Sequence, residues 1–143
     1  MYLSIDDLKK GIRGEVLNVI TRDEDNAYQA VAEAMAEVES YLSARYNIAS
    51  ELAKVHSDTS RNIRVVQLVR DIALYNCHNI AAPVTMPEGR IKSYENAVKF
   101  LRDCQAEKAN MPGLQRLKTS EDGTVSSNYV SFSSSSKKRE HHF

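Results

Sequence analysis

Residues 61–79, RNIRVVQLVRDIALYNCHN, decide the fold. Val65, Leu68, Val69, Ile72 and Tyr75 recur at the three- and four-residue spacing that lines one face of an α-helix, and other apolar residues fall outside that face. A helix of this kind needs neighbours over much of its circumference, so the pattern predicts the central member of a small bundle. Ser57, Asp58 and Ser60 are its candidate N-caps, because a short side-chain oxygen there can accept from first-turn amides that have no partner inside the helix. Downstream, Ala82-Pro83-Val84-Thr85-Met86-Pro87 ends the helix, since each proline lacks an amide donor and clashes with the preceding turn.

Working outward, the stretch from Asn26 to about Tyr46 carries Val31, Met35, Val38 and Leu42 as a second helical stripe, flanked by Ala27, Ala34 and Tyr41. Asp25 is placed to cap its start, Arg45 to meet the dipole of its last turn and Asn47 to end it, while Glu33, Glu37 and Glu39 lie largely off the stripe. On the other side, Ile91, Tyr94, Val98 and Leu101 define a helix from about Pro87 to Glu107, stopped by Pro112-Gly113. At the N-terminus Ser4, with Asp7 three residues on, reads as a capping box for a short helix to about Lys10. Gly11 and Gly14 interrupt it, and Val16, Leu17, Val19 and Ile20 suggest a further helical turn or two before the charged run Thr21 to Asp25. The expectation is an all-α fold: a small bundle of about four helices, with the helical body over residues 1–113 and an extended polar tail over residues 114–143.

The tail differs in character. Asp122-Gly123 marks a turn, and Ser126 to Ser136 is mostly serine, with too few apolar side chains to offset the backbone entropy of ordering the segment alone. Tyr129-Val130-Ser131-Phe132 has weak strand character that would suit addition to another protein's sheet edge. Tyr129, Val130, Phe132 and Phe143 are apolar anchors in a solvated segment, and Lys137-Lys138-Arg139 adds a basic run, so these residues are the candidate partner-binding set.

Composition excludes several functions. The 143 residues hold 19 Lys and Arg against 19 Asp and Glu, which removes a global drive toward nucleic acid or membrane. No apolar run is long enough to cross a bilayer, and the N-terminus lacks a secretory signal, so the sequence reads as a protein made in the cytoplasm with free thiols at Cys77 and Cys104. Asp23-Glu24-Asp25-Asn26 resembles a calcium loop only at its start, because Ala27, Tyr28 and Ala34 stand where an oxygen ligand, glycine and glutamate are needed. His56, Cys77, His78 and Cys104 lack close ligand spacing, so no metal is assigned. With no phosphate loop, paired-carboxylate motif or nucleophile elbow, the residues predict no catalytic site and no cofactor. Arg70, Asp71, Arg90 and Arg102 are read as inter-helix or inter-subunit ion pairs rather than catalytic groups, and Tyr28, Tyr41, Tyr46, Tyr75 and Tyr94 as mainly core.

Three segments in order then resemble the small head-tail adaptor (connector) proteins of Mu-like phages and prophages. Tyr41-Leu42-Ser43-Ala44-Arg45-Tyr46 is similar to that family's YLxxRY, Val69 to Tyr75 with His78 to its DIAxYxLH, and Arg90 to Leu101 to its RYxxAxxFL. The start, Tyr2 to Leu8, and the serine-rich, basic, Phe-terminated ending, Phe132 to Phe143, also look like the family's. The resemblance implies a non-enzymatic subunit of the virion neck: a homo-oligomeric ring, expected to be twelvefold, below the portal protein, with DNA passing through its channel without sequence recognition. It also implies a tail that docks on the portal, a neck stopper or a tail protein. The rival readings are a small DNA-binding or packaging protein using Lys137 to Arg139, and a stopper or tail-completion subunit of the same neck.

Overall fold

The computed structural model describes residues 1–11, 24–81, 86–119 and 125–129. It is mostly helical, and the described residues form α1 (Ile5–Lys9), α2 (Glu24–Leu42), α3 (Ile48–Leu52), α4 (Ile63–Ala81) and α5 (Glu88–Gln105). A small antiparallel hairpin follows, β1 (Leu117–Thr119) with β2 (Val125–Tyr129), its register broken by a bulge between Leu117 and Lys118. Among the described residues no helix is long and apolar enough to cross a membrane.

α4 is the centre, as its sequence requires. Val65, Leu68, Val69, Ile72, Ala73, Leu74 and Cys77 are all buried, so more than one side of the helix is covered. α2 packs most extensively on α4, and α5 packs on α4 and α2. The α2 surface turned inward is built from Ala27, Ala30, Val31, Ala34, Val38 and Leu42, whose mostly small side chains let the two helix axes approach closely. α5 contributes Ala97, Val98, Leu101 and Cys104. Gly11, just after α1, lies against α4 so closely that a Cβ there would meet Leu74 Cδ1 at 2.9 Å, which is why a residue without a side chain stands at this crossing.

Several local expectations change. The N-cap of α4 is Asn62, not Ser57, Asp58 or Ser60: its Oδ1 accepts from the amides of Arg64 at 3.0 Å and Val65 at 3.2 Å. Asp58 instead accepts from the amide and hydroxyl of Ser60, closing its own local turn. Asp25 lies inside α2 rather than capping it. α2 ends at Leu42, and Arg45 turns to another helix, donating from Nε to the Gln105 carbonyl at the end of α5 at 2.8 Å and pairing with Glu107. Asn47, expected to end α2, precedes the short α3. Tyr46 is buried and its hydroxyl accepts from the Met111 amide, whereas Tyr28 is exposed and Tyr41, Tyr75 and Tyr94 are half-buried. Ile91, placed on the inner stripe of its helix by spacing, lies at the surface. The turn expected at Val16 to Ile20 lies outside the described residues.

The chain beyond Gly113 stays on the body as far as β1. The amide of Asn47 donates to the Gln115 carbonyl at 2.8 Å and that of Leu117 to the Arg45 carbonyl at 2.9 Å, with an isolated antiparallel bridge between Tyr46 and Arg116. Strand character predicted around Tyr129 is present, but β2 begins at Val125 and pairs within the chain, backbone of Tyr129 opposite Leu117.

Candidate interaction surface

A polar clamp ties the chain's N-terminus to the bundle. Tyr2 is fully buried, and its hydroxyl donates to Glu51 Oε1 at 2.8 Å. The same carboxylate accepts from the Asn62 amide at 2.5 Å and, through Oε2, from Lys54 Nζ at 2.6 Å. Arg61 donates from Nη1 to the Tyr2 carbonyl at 2.8 Å and to Asp7 Oδ2 at 3.0 Å. Asp7 also closes the capping box of α1 with Ser4, as the sequence predicts. Burial pushes both carboxyls up, but the hydrogen bonds outweigh it: Lys54, the Asn62 amide and Tyr2 hold Glu51 below its ordinary value, and Arg61 with the Ser4 amide does so for Asp7. Burial and the adjacent Glu51 raise the Tyr2 hydroxyl, which therefore remains a donor. Tyr2 and Glu51 are the polar residues that sequence spacing could not pair, since forty-nine positions separate them. The clamp makes residues 1–8 part of the rigid body.

A second cluster lies where α4 meets α5 and the end of α1. Arg90 donates from Nη2 to the Gly11 carbonyl at 2.9 Å and sets Nη1 3.7 Å from Asp71 Oδ1. Arg64 stacks its guanidinium 4.4 Å over the Phe100 ring and reaches Gln67 Oε1 at 3.3 Å. Arg70 lies against Gly11, with its Nε buried and without a hydrogen-bond partner. Asp71 feels the charges of Arg64, Arg70 and Arg90 together; burial pushes its carboxyl up against the downward pull of Arg90, Arg70 and Arg64. His78 is also buried near Arg90, and burial followed by that positive charge holds its pKa down, so the imidazole is neutral at pH 7. The structure brings Arg70, Asp71 and Arg90 together and adds Arg64, which spacing did not single out; Arg102 is exposed more than three turns further along α5.

Alongside this cluster, Tyr75 and Tyr94 stack with centroids 3.9 Å apart, and the Tyr94 hydroxyl donates to Glu37 Oε1 at 3.2 Å. Burial and then Glu37 push the Tyr94 hydroxyl up to about 12. The thiols are core groups: Cys77 and Cys104 are free and buried, and burial pushes Cys77 up to about 11. Alkylation by iodoacetamide at pH 8 is therefore expected to be slow for both in the native protein and fast in denaturant; mass spectrometry showing rapid native modification would contradict this packing.

Of the predicted tail contacts, Tyr129 is in β2, while Val130, Phe132, Lys137, Lys138, Arg139 and Phe143 lie outside the described residues. No curated protein and no solved structure matches the chain. The family described as Bacteriophage Mu, Gp36 matches residues 2–128, from the clamped Tyr2 into β2. That span takes in the polar clamp, the arginine cluster and the root of the tail, and the chain therefore belongs to the Bacteriophage Mu Gp36 family of phage proteins.

Proposed function

We propose that this phage protein is a head-tail adaptor (connector) subunit: a structural, non-enzymatic protein that forms a ring, twelvefold by family resemblance, between portal and tail. DNA passes through the ring without sequence recognition, and residues 130–143 dock on the portal or a neck protein. The observation that carries the reading is the family match over residues 2–128. The body suits such a role, because its N-terminus is clamped by Glu51 and Arg61 and its C-terminal strand starts from backbone hydrogen bonds to Arg45 and Asn47. A rigid body of this kind carries contacts at fixed positions, and repetition around a ring gives avidity to individually weak ones.

The test is size-exclusion light scattering of the full chain and of a chain lacking residues 130–143, each alone and with the portal protein of the same phage. The truncation is expected to leave the thermal unfolding of the body unchanged and to abolish portal binding. Portal binding that survives truncation unaltered would sink the docking role of the tail. Duplex DNA binding at low micromolar affinity with a steep salt slope, and no binding to the portal, would favour a DNA-packaging protein instead.

A further inference from the structure

The arginine cluster on α4 is better built for an acidic protein surface than its internal partner requires. Ile63, Gln67 and Arg70 follow one another at four- and three-residue spacing along α4, with Arg64 and Asp71 beside them, so they share one face. Ile63 is 76 % exposed at one end of that face. Among the described residues Asp71 is the one carboxylate that pairs with these arginines, through Arg90, and Arg70 makes no hydrogen bond or ion pair with a described residue. Two of the guanidiniums are already fixed, Arg64 by the Phe100 ring and Arg90 by the Gly11 carbonyl, so little side-chain entropy is lost when they engage a partner.

The same chain carries the complement. α2 holds Glu24, Asp25, Glu33, Glu37 and Glu39 and no lysine or arginine. Glu24, Asp25, Glu33 and Glu39 are exposed, and no described cation pairs with any of them. Because α2 turns Ala30, Val31, Ala34 and Val38 into the core, Asp25, Glu33 and Glu39 fall on the outward side of the helix, and none of them pairs with the arginines of its own molecule.

We infer that the arginine face of α4, centred on Arg64 and Arg70, receives the acidic face of α2, centred on Glu33 and Glu39, from a second copy of this chain. The contact is head-to-tail, with two different surfaces meeting, which is the kind of interface that propagates into a ring when its rotation closes. Complementary charge sets the register and partner orientation, and Ile63 supplies an apolar contact at the edge. A protein partner fits this face better than DNA, because Asp71 lies among the arginines and Arg90 is recessed, with only 15 % of its side chain exposed. This inference rests on the ring reading above and specifies which faces meet.

The test uses two full-length variants, R64E/R70E and E33R/E39R, followed by sedimentation velocity at low and moderate salt, with circular dichroism to confirm helicity. Wild type is expected to self-associate, less so as salt rises. Each variant alone places like charges on both faces and should lose self-association by more than about tenfold. An equimolar mixture should restore it, because the acidic α2 of the first variant meets the intact arginines of the second and the reversed faces also match. E33R/E39R changes only exposed side chains, so its result stands even if R64E/R70E fails to fold. If wild type assembles and E33R/E39R assembles equally well, the interface is overturned while the ring reading stands. A wild type that never assembles, alone or with portal protein, removes both. R64E/R70E that keeps assembly but loses duplex DNA binding assigns the cluster to phosphate and overturns the inference.

Discussion

Replacing Glu51 by alanine is expected to destabilise the protein by about 3–5 kcal/mol, the cost of removing one member of a buried charged network. One carboxylate serves the Tyr2 hydroxyl, the Asn62 amide and Lys54, and it is only 6 % exposed. Lys54 can turn to water, but the Tyr2 hydroxyl is sealed in the core, and a buried donor without an acceptor costs about 1–3 kcal/mol by itself. The loss also loosens Asn62, which caps α4, so the damage reaches the central helix. Urea unfolding monitored by far-ultraviolet dichroism reads this as a lower midpoint; a shift under about 1 kcal/mol would mean that the clamp is dispensable. Glu51→Gln should cost less, because an amide oxygen still accepts from Tyr2.

The clamp also sets a pH dependence. Glu51 and Asp7 have folded-state pKa values below their ordinary 4.5 and 3.8. A depressed carboxyl stabilises the fold fully above its unfolded-state value, and that contribution is lost as pH falls through the lowered folded-state value. Wild-type stability should therefore decline as pH drops below about 5, and the decline should be shallower in Glu51→Ala, which has one such group fewer. Equal slopes in the two proteins would contradict the assignment.

The second large effect is in α4, where two isoleucines nine positions apart should respond very unequally to the same truncation. Ile72 is fully buried between α4 and its neighbours, and Ile72→Ala is expected to cost about 3–5 kcal/mol through lost burial and the cavity left behind. Ile63 is 76 % exposed on the first turn, and Ile63→Ala should change stability by no more than about 0.5 kcal/mol. Thermal unfolding of the two variants side by side checks the assignment of inside and outside along this helix. Comparable losses would show that Ile63 is covered in the protein as it exists in solution.

These contrasts show what was legible in the sequence. The three long helices were, because Val65 to Tyr75, Val31 to Leu42 and Tyr94 to Leu101 repeat at helical spacing and burial follows spacing. The capping box of Ser4 and Asp7 was also legible, since both partners lie within one turn. The N-cap of α4 was not, because Ser57, Asp58, Ser60 and Asn62 are all competent caps and only the turn closed by Asp58 and Ser60 leaves Asn62 in position. Tyr2 offered no periodic signal, and its partner Glu51 sits on a five-residue helix too short to show one. For the candidate surface, Arg70 and Asp71 stood out as charges on the mostly apolar α4, whereas Arg90 sits on the charge-rich α5, where spacing alone does not separate it from the distant Arg102. Arg64 did not, since its role depends on Phe100 across the α4–α5 contact. The acidity of α2 was visible as composition, but only the structure shows that no described cation pairs with its exposed carboxylates.

The hairpin anchored beside Tyr46 also ties two distant parts of the chain together. The Asn47 amide donates to the Gln115 carbonyl and the Leu117 amide to the Arg45 carbonyl, while β2 lies against β1 with Tyr129 opposite Leu117. A pull on the backbone at Tyr129 is therefore carried through hydrogen bonds to the end of α2, beside the buried Tyr46, so the two-stranded ribbon is a strut that transmits load into the bundle.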